Sequence, residues 1–88
     1  MNYNTTTQYF FNIPLQLIVR GDYKGTSAMR FALNGTNQNV WIPKKHLEAD
    51  GTIKPDENLH YIFRKATRQV QLALNKTSTK TKTKTQND

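Results

Sequence analysis

From Leu59 to Leu74 the apolar residues of this chain fall at Leu59, Ile62, Phe63, Ala66, Val70, Ala73 and Leu74, at spacings of three and four. On a helix these positions form one apolar stripe about 120° wide. A lone striped helix cannot bury itself and must lie on a second apolar surface. Pro55-Asp56-Glu57 marks its start, with Asp56 as N-cap and acidic charge on the first turn. The spacing predicts a single helix ending near Leu74-Asn75.

The residues before it supply the second surface. Leu15, Leu17 and Val19 alternate with Gln16, Ile18 and Arg20, which predicts a strand over 15–20, starting as early as Phe10. Gly21-Asp22-Tyr23-Lys24-Gly25 is a turn cluster. Over Ser27 to Leu33, Met29, Phe31 and Leu33 point one way, and Ala28, Arg30 and Ala32 the other. Asn34-Gly35 starts a turn, and Val40-Trp41-Ile42 forms a third strand limited by Pro43. A four-residue loop, Gly35 to Gln38, sets Leu33 opposite Val40 and Phe31 opposite Ile42, both apolar pairs. Thr52-Ile53 reads as the stub of a fourth strand. The expected fold is α+β: a three-stranded antiparallel meander, with a short fourth strand as an option, covered by one C-terminal helix. A small open barrel of SH3-like or OB-like kind is the alternative.

Eighty-eight residues allow one domain, and the absence of cysteine excludes disulfides and thiolate metal sites. We place that domain at 9–75, between a loose polar start at 1–8 and a disordered Lys/Thr tail at 76–88. The net charge is +7. Lys76, Lys80, Lys82 and Lys84 against Asp88 put +3 of it in the tail, so the folded part is only moderately basic. The stretch Tyr9 to Val19 is broken by Asn12, Pro14 and Gln16 and has no basic residue before it. It is neither a secretory signal nor a membrane span, and the expected location is the cytoplasm.

Three surfaces are candidates for binding. The first is the hairpin face holding Trp41 and Arg30, with Lys44 and Lys45 close behind. An indole beside cations suits single-stranded nucleic acid, the ring stacking on a base and the cations meeting phosphates. A plainer reading has Trp41 covering a second minor core, with Ala32 making room. The second is the outer helix face, where Tyr61, Arg64, Lys65, Arg68 and Leu72 lie opposite the stripe. It suits phosphate or an acidic protein, or is simply a solvated face. The third is the tail, where Lys80, Lys82 and Lys84 either add salt-sensitive attraction to nucleic acid or only solubilise the chain.

The segment Gly25 to Ile53, and within it Asn39-Val40-Trp41-Ile42-Pro43-Lys44-Lys45, resembles small proteins of phages and mobile elements from Gram-positive bacteria. The resemblance covers about a third of the chain. It implies an accessory role in mobile DNA and transfers no mechanism.

Nothing in the spacing points to an enzyme. His46 lies near Glu48, and His60 three residues after Glu57, but neither pair forms a set of nucleophile, base and orienting group. The histidines and carboxylates match no zinc spacing, and the four glycines form no phosphate loop, so no metal or cofactor is expected. His60 is placed at the border of the stripe and His46 on the surface. Three functions follow: a nucleic-acid-binding accessory protein, a protein-binding inhibitor or adaptor acting on a host or phage enzyme, and a self-associating structural protein.

Overall fold

The computed structural model describes residues 2–78. Four strands, β1 (Gln8–Phe10), β2 (Ile13–Leu17), β3 (Ala28–Leu33) and β4 (Asn39–Pro43), form one antiparallel sheet in sequential order. A short 3-10 turn over Lys44–His46 follows β4, and two helices, α1 (His60–Lys65) and α2 (Thr67–Ser78), pack on β4 and β3. The α+β meander is therefore the fold. Strands β1 and β4 are separate edges, so the sheet does not close into a small barrel.

The period-two reading of the central strand holds residue by residue. Met29, Phe31 and Leu33 are buried, while Ala28, Arg30 and Ala32 are half-buried on the other face. Leu15 and Leu17 from β2, and Val40 and Ile42 from β4, join them under Leu59, Ile62, Phe63 and Ala73 of the helical segment. The core thus lies between one sheet face and the helices, and on the opposite face Tyr23 of the β2–β3 connection packs beside Arg30 and Trp41.

Four expectations are corrected. The extra strand is β1, at the N-terminal edge, where Tyr9 pairs with Pro14. Ile53 makes only an isolated bridge to Leu47. The strand expected over 15–20 runs instead over Ile13–Leu17, and Val19 is exposed. The hairpin register is displaced by two residues: Phe31 faces Val40, Met29 faces Ile42, and Trp41 faces Arg30 rather than Ala32. Asn34 and Gly35 both take positive φ, and Thr36 N–H closes the turn on the Leu33 carbonyl at 3.0 Å. This primed turn starts the loop at Asn34. A displacement of two leaves every side chain on its expected face.

The fourth correction concerns the helix. Asp56 has φ +64°, outside the conformation of an N-cap, and the first helical turn starts at His60. Asn58 Oδ1 accepts the His60 N–H at 3.0 Å. The helix then breaks at Ala66 (φ −98°, ψ 22°). Thr67 donates its hydroxyl to the Arg64 carbonyl at 2.6 Å, the local bond by which threonine competes with a helical ladder. Leu74, expected in the stripe, remains exposed. Helix α2 continues to Ser78; the rest of the basic tail, with Lys80, Lys82 and Lys84, lies outside the described residues.

The polar start carries contacts that its composition does not announce. Asn4 N–H donates to the Asp50 carbonyl at 2.8 Å, and Tyr3 packs edge-on to Tyr23. Gln8 is a clamp: its Nε2 donates to the Gly51 carbonyl and its Oε1 accepts the Ile53 N–H. Phe10 stacks on Phe63 with ring centroids 4.1 Å apart, tying the edge strand to α1.

Gly51 is the tightest point of this arrangement. Its φ is +92°, and a Cβ there would stand 2.7 Å from Leu17 Cδ2 and 3.5 Å from Met29 Sδ. Gly51→Ala carries a left-handed backbone penalty of about 1–2 kcal/mol and an overpacking cost of about 1–3 kcal/mol. Gly35, also at positive φ (+67°), has no atom within 4 Å of its Cβ position. Gly35→Ala therefore carries the backbone penalty alone. Urea unfolding of the two variants is expected to place Gly51→Ala well below Gly35→Ala; equal stabilities would contradict the packing around Leu17.

Candidate nucleic-acid interface

Alternation along β4 sends Val40 and Ile42 into the core and Trp41 to the opposite face. The indole is 50 % exposed. A second-core role for Trp41 is not what the structure shows. Arg30 lies directly across the β3–β4 ladder, with its guanidinium carbon 5.9 Å from the ring centroid, within cation–π range. Its Nε is buried and has no hydrogen-bond acceptor among the described residues. No carboxylate pairs with Arg30 there either, since the ion pair among the described residues joins His46 to Glu57.

Trp41 stands between two depressions. The larger, about 570 Å³, runs between edge strand β4 and the helices; Trp41, Tyr61, Lys65 and the amides of Gln38, Asn39 and Gln69 line it. The smaller, about 170 Å³, is lined by Trp41, Tyr23, Arg20, Arg30 and Asp22. Tyr23 meets the indole edge to face at 6.4 Å. Its hydroxyl donates to the Ile18 carbonyl, which holds the β2–β3 connection against the sheet. Asp22 Oδ1 accepts the Lys24 N–H at 3.1 Å.

The expected site residues are thus only partly gathered. Arg30, Trp41, Tyr61 and Lys65 line the two depressions. Arg64 and Arg68 are exposed on the helices but line neither. Lys44 turns away: its Nζ donates to the Tyr23 carbonyl at 2.5 Å. It lines a third depression of about 600 Å³, with Tyr3, Met29, Leu47 and Glu48. Lys45 is exposed on the 3-10 turn, where its carbonyl accepts from Lys54 Nζ at 3.4 Å.

Sequence reasoning missed Arg20, which it read only as part of a strand, and Tyr23, which the turn cluster hides. It also misplaced His46. The imidazole is 7 % exposed, with Nδ1 2.5 Å from Glu57 Oε1 and Nε2 2.7 Å from Tyr61 Oη. This chain fixes the 3-10 turn against α1. His60 is exposed beside Phe10 and Phe11. No group of three or more histidines, cysteines or carboxylates is placed to hold a metal ion among the described residues. None of their helices is long and apolar enough to cross a membrane. Asp50 has its carboxyl held below the usual range by hydrogen bonds from the Thr52 side chain and backbone, a local feature of its turn.

Comparison of the chain with protein-family models, curated proteins and solved structures returns no match.

Proposed function

We propose that this chain is a small accessory protein of the phage type that binds single-stranded nucleic acid in the cytoplasm, through the surface centred on Trp41. The observation that carries the reading is the Arg30–Trp41 pair: a half-exposed indole with a guanidinium beside it whose Nε has no acceptor. Arg30 also lines the smaller depression beside the ring, where a guanidinium can meet a phosphate oxygen. The strand would pass from the groove at Tyr61 and Lys65, across the indole, to the cleft at Arg20 and Arg30. One base stacks on Trp41, and the amides of Gln38, Asn39 and Gln69 offer donors and acceptors to base edges. The likeness of Asn39 to Lys45 to mobile-element proteins fits such a role.

Fluorescence anisotropy of a labelled oligonucleotide, titrated across a salt series, tests this. Each cation that meets a phosphate contributes about 0.7 to the slope of log K against log salt for a single strand. Arg30→Gln and Lys65→Gln are each expected to lower the slope by about that amount. Slopes unchanged in both variants would remove the two cations from the interface.

A second reading, pairing with a protein strand, has one observation in its favour. Lys44 N–H and Leu33 N–H bond across the β3–β4 ladder to Ser27 and Gln38. By alternation, the backbone groups of Asn39 and Trp41 then face away from β3, along an edge that no further strand pairs with. A β4 edge engaged by a second copy would show as a doubled mass in light scattering without any nucleic acid.

A further inference from the structure

We propose that Tyr61 is a nucleophile toward a phosphodiester of the bound strand, with His46 as its base and Glu57 as the group that positions the base. The inference rests on the nucleic-acid reading and goes beyond binding to covalent chemistry. Three observations carry it. Tyr61 is 39 % exposed and lines the groove that Trp41 borders, so its ring belongs to the surface on which the strand would lie. Its hydroxyl meets His46 Nε2 at 2.7 Å, and His46 is buried. His46 Nδ1 in turn meets Glu57 Oε1 at 2.5 Å.

Nucleophile and base within hydrogen-bond reach, with the base held by a third group, is the arrangement that activates a weak nucleophile. A carboxylate accepting the Nδ1–H fixes the neutral tautomer whose Nε2 lone pair faces the tyrosine O–H. The members are 11 and 15 residues apart from His46, which is why spacing along the chain conceals them. Cations complete the set. Lys65 lies one helical turn after Tyr61 and lines the same groove, and Arg64 lies three residues after it. Lys65 is placed to meet the non-bridging oxygens of a phosphoryl group at Tyr61, where negative charge gathers during attack.

The step balances without a metal or redox partner. Tyr61 Oη forms a bond to phosphorus and its proton passes to His46 Nε2. The bond from phosphorus to one sugar oxygen breaks, and that oxygen leaves as an alkoxide and takes a proton from water, whose hydroxide balances the proton held on His46. The products are a strand linked to Tyr61 through a phosphodiester and a second strand with a free hydroxyl. The imidazolium, paired with Glu57, returns its proton to Tyr61 when the reaction reverses.

The test uses the full chain and a single-stranded oligodeoxynucleotide carrying a different dye at each end. Trp41 fluorescence reports binding, and a denaturing gel reports covalent adduct. Wild type is expected to give an adduct that survives boiling in detergent and carries one of the two dyes. Tyr61→Phe is expected to bind and give none. His46→Gln is expected to slow adduct formation at saturating oligonucleotide by about 100-fold or more, the usual range for loss of a general base. Because His46 is buried, Glu57→Gln serves as the second variant. It is expected to slow the same step at least about tenfold with saturating quench unchanged, a loss that a purely structural tie would not produce. Binding without adduct in wild type, or adduct retained in Tyr61→Phe, overturns this proposal alone. Absence of binding overturns it together with the reading beneath it.

Discussion

Phe31→Ala is expected to lower the unfolding free energy by about 3–5 kcal/mol, the range for removing a large buried aromatic side chain. Phe31 is fully buried in β3, between Leu17 of β2 and Val40 of β4, and faces the helices. Its neighbours Leu15, Leu33 and Ile42 are equally enclosed, so the cavity has no loose wall to collapse into it. A domain of this size sits near the lower end of the usual 5–15 kcal/mol of stability. The variant is therefore expected to be substantially unfolded at 37 °C by circular dichroism. A cooperative melt shifted by only a few degrees would contradict the position of the core.

Trp41→Ala is expected to act on binding and to leave folding nearly intact. Stacking on an aromatic is worth about 1–3 kcal/mol per base. With one base on the indole, affinity for a single strand falls by roughly 5- to 150-fold. The indole is half-exposed on the face that the helices do not cover, so its removal opens no core cavity. Trp41→Phe keeps a stacking surface and is expected to recover much of the affinity. Anisotropy titrations measure both variants; equal affinities for Ala and wild type would show that the ring takes no part.

The faces of the strands were legible in the sequence because one face is buried, and burial writes itself as alternation. Met29, Phe31 and Leu33 against Ala28, Arg30 and Ala32 is the plainest instance. The same property made the register ambiguous. Matching apolar faces cannot tell Phe31–Ile42 from Phe31–Val40, since both pairs sit on one side. Only the backbone of Asn34-Gly35 decides between them. Strand β1 was hidden because its anchor is an amide: Gln8 pairs with the backbone of Gly51 and Ile53 and leaves no hydropathy signal. The helix start was misread because acidic residues after a proline resemble a cap. Here Asp56 takes positive φ and Glu57 is committed to His46. At the site, Trp41 and Arg30 were legible from strand parity. Their separation from Lys44 was not, because Lys44 is held by a carbonyl twenty-one residues away at Tyr23.

Trp41 is the only tryptophan in the chain, so intrinsic emission reports on that ring alone. Titration of the protein with an unlabelled single-stranded oligonucleotide at low salt is predicted to quench this emission to a saturating limit. Added salt is predicted to restore it. Emission that stays constant through the titration, while the oligonucleotide demonstrably binds, would place the strand elsewhere on the molecule and contradict the interface described here.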